Sequence, residues 1–401
     1  MSIAVDRIRS SFPALSQGVA YFDGPGGTQT PREVADAIAA TMTAGISNHG
    51  TVTAAERRAE ETIVAARTAV ADLLGCPADG VVFTRSATQA AYDVSRALAK
   101  QWGRGDEVVA SRLDHDANIR PWVQAAEASG ATLRWIEFDR DTAELTVDDV
   151  AAQLSPRTRL VALTGASNLL GSRPDIAAVA EAVHAVPGAL LYVDGVHLTP
   201  HAPIDVAELG ADFYACSPYK FFGPHHGVVV ADPALLEELH PDKLLPSSDA
   251  VPERFELGTL PYELLSGTTA AVDFIAGLAE PEGSRRQRVL TSMRAVEEHE
   301  DELFAHLLDG LSGIDGVTLH GSPKRRTPTA LFSVAGHTGQ QVYEHLAGLD
   351  VNAPASSFYA LEASRWIGLG DDGAVRAGLA PYTSTEDVDR LVAGVATLAG
   401  R

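Results

Sequence analysis

Between residues 60 and 235 the chain alternates between short runs rich in Val, Ile, Leu and Phe and longer Ala-rich stretches with helical periodicity. The short runs predict seven strands, at Gly80–Thr84, Glu107–Ser111, Thr132–Phe138, Leu160–Leu163, Ala189–Val193, Phe213–Cys216 and Gly227–Val230. Amphipathic segments such as Glu60–Leu74 and Ile176–Val186 lie between them. Strands separated by helices can pair in parallel, and a parallel sheet is covered on both faces, so the expected class is α/β with a mainly parallel sheet. Pro241–Leu260, rich in Pro, Ser and charge, reads as a connection. A long helical pattern follows over Arg285–Leu311. Short strands at Ala330–Val334 and Ala374–Gly378 then mix with helices at Gln340–Leu346 and Thr385–Leu398, the pattern of a smaller α+β domain. The expected division is an N-terminal segment (1–20) packing on the small domain, a large domain (21–260) and a small C-terminal domain (261–401).

A chain of 401 residues exceeds one ordinary core, which fits more than one domain. Its 31 basic and 53 acidic residues give a net charge of −22, which opposes nucleic-acid phosphates and anionic membranes as partners. Any phosphate-bearing ligand must therefore be held locally, by backbone amides and hydroxyls. The opening stretch, residues 1–15, carries charges within its apolar run and reads as neither a signal peptide nor an anchor. No apolar run reaches spanning length. Cys76 and Cys216 are the only cysteines, too few for a disulfide framework or a thiolate metal cluster, and a cytoplasmic protein is expected. His225 and His226 follow a proline in a turn without carboxylate neighbours, so no metal site is expected.

In an open parallel sheet, ligands gather at the carboxyl ends of the strands. After the first run come Ser86, Ala87 and Thr88 at a helix start, where free amides suit an anion; on this segment alone an ordinary cap is the better reading. After the second comes Asp114-His115-Asp116-Ala117-Asn118, where an imidazole can stack on a flat ligand or move protons, although most such histidines are loop residues. The fourth leads to Ser167-Asn168. The fifth leads to Asp194, a carboxylate that is costly beside an apolar strand unless it has a partner. The sixth leads to Ser217-Pro218-Tyr219-Lys220. Of the four lysines, Lys100, Lys220, Lys243 and Lys324, only Lys220 sits among aromatic and apolar neighbours at a strand end. Desolvation there lowers its pKa and makes the amine nucleophilic. A lysine for a Schiff base, an aspartate for a pyridinium nitrogen and hydroxyls at a helix start together suit pyridoxal 5′-phosphate (PLP).

The sequence resembles the class V aminotransferases of PLP fold type I, and among them the cysteine desulfurase-like subgroup. The motifs that carry the resemblance are Val193-Asp194-Gly195-Val196-His197, Ser217 to His225, Asp114 to Ile119, and Arg376 to Tyr382. The resemblance implies that Lys220 holds the cofactor covalently, that Asp194 pairs with the pyridine nitrogen, and that His115 stacks on the ring. It places Asn168 and His197 near the ring hydroxyl, His197 standing where many relatives have Gln. It gives the phosphate to Thr88, Ser217 and the amide of Ala87, with Thr259 reaching the phosphate of a second subunit in a homodimer with shared active sites. It gives the substrate carboxylate to Arg376, with Asn168 beside it. Lys220, His115 and Asp194 are the expected catalytic group. The segment Ala353 to Ala360, where desulfurases carry a nucleophilic cysteine, has none here. The expected activity is a C–S or C–Se lyase acting on an amino acid by α-proton abstraction and β-elimination. Transamination, racemisation and kynureninase-like cleavage are alternatives on the same scaffold, and a non-catalytic protein is a further one.

Overall fold

The computed structural model describes residues 3–400. Among these residues thirteen strands form three sheets. A seven-stranded sheet contains β2 (Val81–Thr84), β3 (Glu107–Ser111), β4 (Thr132–Ile136), β5 (Thr158–Thr164), β6 (Leu190–Asp194), β7 (Phe213–Cys216) and β8 (Gly227–Ala231), in the order β2-β8-β7-β6-β5-β3-β4. All seven expected strands are present: Glu107–Ser111 and Phe213–Cys216 have the expected bounds, and the other five differ by one or two residues at their ends. β3, β4, β5, β6 and β7 pair in parallel, whereas β8 runs antiparallel between β2 and β7. The reason is chain length: residues 217–226 must return from β7 to β8, and that is too short for a parallel crossover. β3, β6 and β7 are buried along most or all of their length, as strands covered by helices on both faces must be.

The C-terminal region carries a four-stranded antiparallel sheet, β9 (Val317–His320), β10 (Thr329–Val334), β12 (Ala355–Ser356) and β13 (Ala374–Gly378), in the order β12-β13-β10-β9. The short strand β1 (Ala20–Tyr21) pairs in parallel with β11 (Val351–Asn352), which stitches the start of the chain onto this region. Helix Tyr262–Ala276 lies beyond the expected boundary at 260, yet its Leu265, Val272 and Ile275 belong to the core of the large sheet. Helix Arg285–Ser312 gives Val289, Met293 and Val296 to the first core and Leu303, Phe304 and Leu307 to a second, so that single helix joins both cores. The N-terminal segment also touches both: Ile8 and Phe12 enter the large core, while Arg9 binds Asp387 at 2.6 Å.

Two glycines are required by close approach. A Cβ on Gly195 would sit 2.0 Å from the Tyr214 ring, and one on Gly227 would sit 2.2 Å from the backbone carbon of Ser86. The second contact lets the start of helix Ala87–Ala99 lie directly against the start of β8.

Candidate active site

The expected strand-end residues converge on one cleft of about 700 Å³. Ala87, Thr88, His115, Asn168, Asp194, His197, Ser217, Lys220 and Arg376 all line it. Asp194 is the last residue of β6, and Lys220 follows the neighbouring parallel strand β7 through a tight turn, Pro218–Lys220. Helix Val206–Leu209, started by the Asp205 side chain, lies between the two strands in sequence. This register puts a carboxylate and an amine side by side at the sheet's carboxyl edge.

Lys220 is 9% exposed, and its Nζ donates to the carbonyl of Pro25. Burial, with the Arg376 charge, pulls its pKa down to about 7, and Asp194 and Asp23 offset this in part. Asp194 is pushed up to about 6 by burial, against the Val196 amide, which donates to Oδ1 at 2.9 Å, and against the Lys220 charge. Behind it, burial pushes Asp114 up to about 8, and the nearby Asp194 adds to the rise. Asp114 accepts from Ser111 and from Asn118 Nδ2 (2.7 Å), and Asn118 accepts from Trp122 Nε1 at 3.0 Å. This buried chain anchors the loop that carries His115. His115 itself is held near pKa 4 by burial, Lys220 and Arg376, and is therefore neutral. Its Nδ1 accepts from the Ala117 amide at 3.0 Å, which leaves Nε2 protonated.

At the helix start, Ser86 Oγ accepts from the Gln89 amide at 3.1 Å. The first-turn amides of Ala87 and Thr88 have no intrahelical carbonyl to bind, and with the Ser217 and Thr88 hydroxyls they form an anion cradle. Gly227 makes this cradle sterically possible. On the opposite wall Arg376, from β13, donates to the Asn168 carbonyl at 2.8 Å and lies under the Phe358 ring at 3.7 Å. Among the described residues its Nε is buried without a partner, as are Asn168 Oδ1 and His197 Nδ1. Three orphaned polar atoms in one cleft, beside an anion cradle, a buried amine and a buried carboxylate, fit a compact polar ring with a phosphate arm. The residues present therefore fit PLP.

Thr259 does not line this cleft. It is exposed, and the neighbouring Glu256 pins its segment by a buried pair with Arg67 (2.8 Å) and by accepting from the Phe83 amide at 2.9 Å. Cys216 is buried in β7, Cys76 follows the end of helix Ala54–Leu74, and neither lines the cleft. Burial pushes both thiols up.

Several cleft residues have no local sequence signal. Pro25, Gly26, Phe358 and Tyr359 enter it from segments distant in the chain. Phe358 and Tyr359 take left-handed backbone angles of 51° and 58°, held by Asn168 Nδ2 donating to the Phe358 carbonyl and the Asp116 amide donating to that of Tyr359. Tyr359 thereby stacks on His115, with ring centres 5.5 Å apart. The glycine-rich turn Asp23 to Gly27 was the one available hint, because such turns let backbone approach a ligand.

Residues 20–391 match the aminotransferase class-V family. The chain is 34% identical to an uncharacterized protein of Mycobacterium tuberculosis, over 99% of this chain and 100% of that one. It is 32% identical to an aminotransferase-like protein of Gibberella zeae, over 98% and 97% of the two chains. Among solved structures, the apo cysteine desulfurase of Thermococcus onnurineus superposes with a TM-score of 0.89 at 25% identity, covering 100% of this chain and 99% of that one. The seven-stranded sheet with its small antiparallel companion is thus the type I fold of that group. The chain belongs to the aminotransferase class-V family of PLP-dependent enzymes and is cysteine desulfurase-like within it.

Proposed function

We propose that the protein is a PLP-dependent lyase that removes the α-proton of an amino acid and expels a sulfur- or selenium-bearing β-substituent. The observation that carries this reading is the Lys220 amine, buried and held near pKa 7 between Asp194 and Arg376. Such an amine is basic enough to take a proton and neutral often enough to do so at physiological pH.

When bound, the cofactor supplies an electron sink for charge developing at the substrate α-carbon. The chain's residues do the rest. Arg376 offers a planar, bidentate donor to the α-carboxylate. Asn168 and His197 line the same cleft and would meet the ring hydroxyl. The amides of Ala87 and Thr88, with Ser217, would hold the phosphate. The carboxylate of Asp194 would hold the proton of the ring nitrogen. His115, a neutral, rigidly held imidazole, would cover the ring. The Lys220 Nζ would take the α-proton. No thiol lines the cleft, and β-elimination requires none, so sulfur leaves as a small product.

The same reading includes a homodimer. Thr259 is exposed, Leu257 two residues before it exposes 58% of its surface, and Leu244 and Leu245, earlier in the same connection, expose 68% and 99%. A second subunit would cover these apolar side chains and bring its own phosphate within reach of Thr259. Sedimentation of the purified protein checks this.

The test of activity is a panel of amino acids given to the PLP-loaded protein with product analysis. Keto acid together with released sulfide or selenide is expected. Keto acid that forms only when an amino acceptor is supplied would replace the proposal with transamination.

A further inference from the structure

Another cleft lies in the C-terminal region, with about 200 Å³ of space and no lining residue in common with the first. Leu308 from helix Arg285–Ser312, Leu319 from β9 and Leu331 from β10 give it apolar walls. Asp141 and Ser322, both exposed, open it to solvent. Arg326 lines it as well. The Arg326 guanidinium lies over the Phe304 ring, 4.8 Å from its centre and one helical turn before Leu308. Its Nη2 donates to the Thr329 carbonyl at 2.7 Å and to the Leu170 carbonyl at 3.3 Å. Among the described residues its Nε is buried without a partner. Burial alone moves the Arg326 pKa, down to about 10, with no acidic group offsetting it, so the charge persists at neutral pH. The other basic group on the walls, His320, places Nε2 2.8 Å from Ser333 Oγ, and burial lowers its pKa, so it is neutral.

A largely buried charge without a counter-charge is costly, and an anion bound beside it offsets that cost. Two carbonyls and an aromatic face satisfy this guanidinium in part but leave its full charge uncompensated. The walls are hydrocarbon, which favours an apolar body on the anion. The Asp141 carboxylate at the opening and the net charge of −22 disfavour ions with two negative charges. We propose that Arg326 and the three leucines form a binding site for a small organic monocarboxylate with an apolar body, separate from the catalytic cleft. The carboxylate pairs with Arg326, and the body lies along Leu308, Leu319 and Leu331. Thr327 and Thr329, which follow Arg326, each stand 3.0 Å from His197, so a single segment separates this site from the wall of the catalytic cleft. The site requires no PLP.

Equilibrium dialysis of the whole chain against labelled isocaproate, a monocarboxylate with a branched apolar chain, tests this. Arg376 in the catalytic cleft also attracts carboxylates, so binding is measured in Arg376→Lys as well as in the wild type. Isocaproate binding that survives Arg376→Lys is expected. Acetate, which lacks the apolar chain, should bind about tenfold more weakly or worse, and inorganic phosphate should not compete. Leu308 is only partly buried, so its replacement spares the core. Leu308→Glu sets a carboxylate of the protein's own beside Arg326, whereas Leu308→Gln has the same size without the charge. The first should bind isocaproate at least about tenfold more weakly than the second. If Leu308→Glu fails to fold, Arg326→Gln takes its place and should lose the same binding. Isocaproate binding that is missing from Arg376→Lys, equal in the two Leu308 variants, retained in Arg326→Gln, or matched by acetate or phosphate would overturn the assignment.

Discussion

Replacing Lys220 by Met should make the cofactor-free protein more stable at neutral pH, because the wild-type amine is buried in a site that resists its charge. Its pKa falls from an ordinary 10.5 to about 7 in the folded chain. At about 1.4 kcal/mol per pH unit this is about 5 kcal/mol of disfavoured folding at neutral pH. Met forfeits the hydrogen bond to the Pro25 carbonyl, which takes back about 1–2 kcal/mol. A net gain of about 3 kcal/mol remains. For a chain of this length, unfolding entropy at about 2.1 cal/mol/K per residue sums to roughly 0.8 kcal/mol/K, so the melting temperature should rise by about 4 °C. The sign with pH follows from the depressed pKa. Between about 7 and 10.5 the unfolded chain binds a proton at this lysine that the folded chain does not. Wild-type stability at this site therefore rises with pH through that window. The variant's advantage should be full below pH 7 and gone near 10.5. Calorimetry or fluorescence melting of both cofactor-free proteins at pH 6.5, 8.5 and 10 measures the difference, and groups common to both cancel. A Lys220→Met protein no more stable than wild type at pH 6.5, or an advantage that does not shrink with pH, would refute a desolvated, neutral-prone amine.

Other outcomes follow from the same geometry. Asp194→Asn should still bind PLP but lose most turnover, since a neutral amide cannot hold the ring nitrogen's proton by a charge-assisted bond, worth about 1.5–3 kcal/mol; near-normal kcat would contradict the assignment. Replacing Cys76 and Cys216 by Ala should spare activity and leave no protein persulfide after incubation with cysteine. A stoichiometric persulfide at either thiol, with turnover lost in the matching variant, would restore desulfurase chemistry on the enzyme. Gly227→Ala should weaken PLP binding at least tenfold and lower stability, because its Cβ would meet the Ser86 backbone at 2.2 Å; unchanged affinity, measured by the absorption of bound PLP, would show that the cradle tolerates the shift.

What local sequence could show was set by the sheet. Strands announce themselves as apolar runs, and in a parallel sheet their carboxyl ends share one edge. For that reason His115, Asn168, Asp194, Ser217 and Lys220 were legible as neighbours although they are spread over more than a hundred residues. The helix start at Ala87 and Thr88 was visible too, although by itself it read as an ordinary cap, and only the resemblance gave it a phosphate. The domain edge was less legible: nothing in the pattern of helix Tyr262–Ala276 says which core its apolar stripe meets, and it meets the large one.

Residue type and position relative to a strand were enough for the fold class, for bringing Lys220 and Asp194 to one sheet edge, and for the absence of a cysteine from residues 353–360. Tertiary structure decided what depends on the approach of distant segments. It turned β8 antiparallel, brought Pro25 to Lys220 across 195 positions, laid Phe358 over Arg376, and set Thr327 and Thr329 behind His197. It also placed Thr259 outside its own chain's cleft. The physical reason is that pKa values, tautomers and ring stacking are properties of an environment. A buried environment is assembled from parts of the chain that carry no record of one another in local composition.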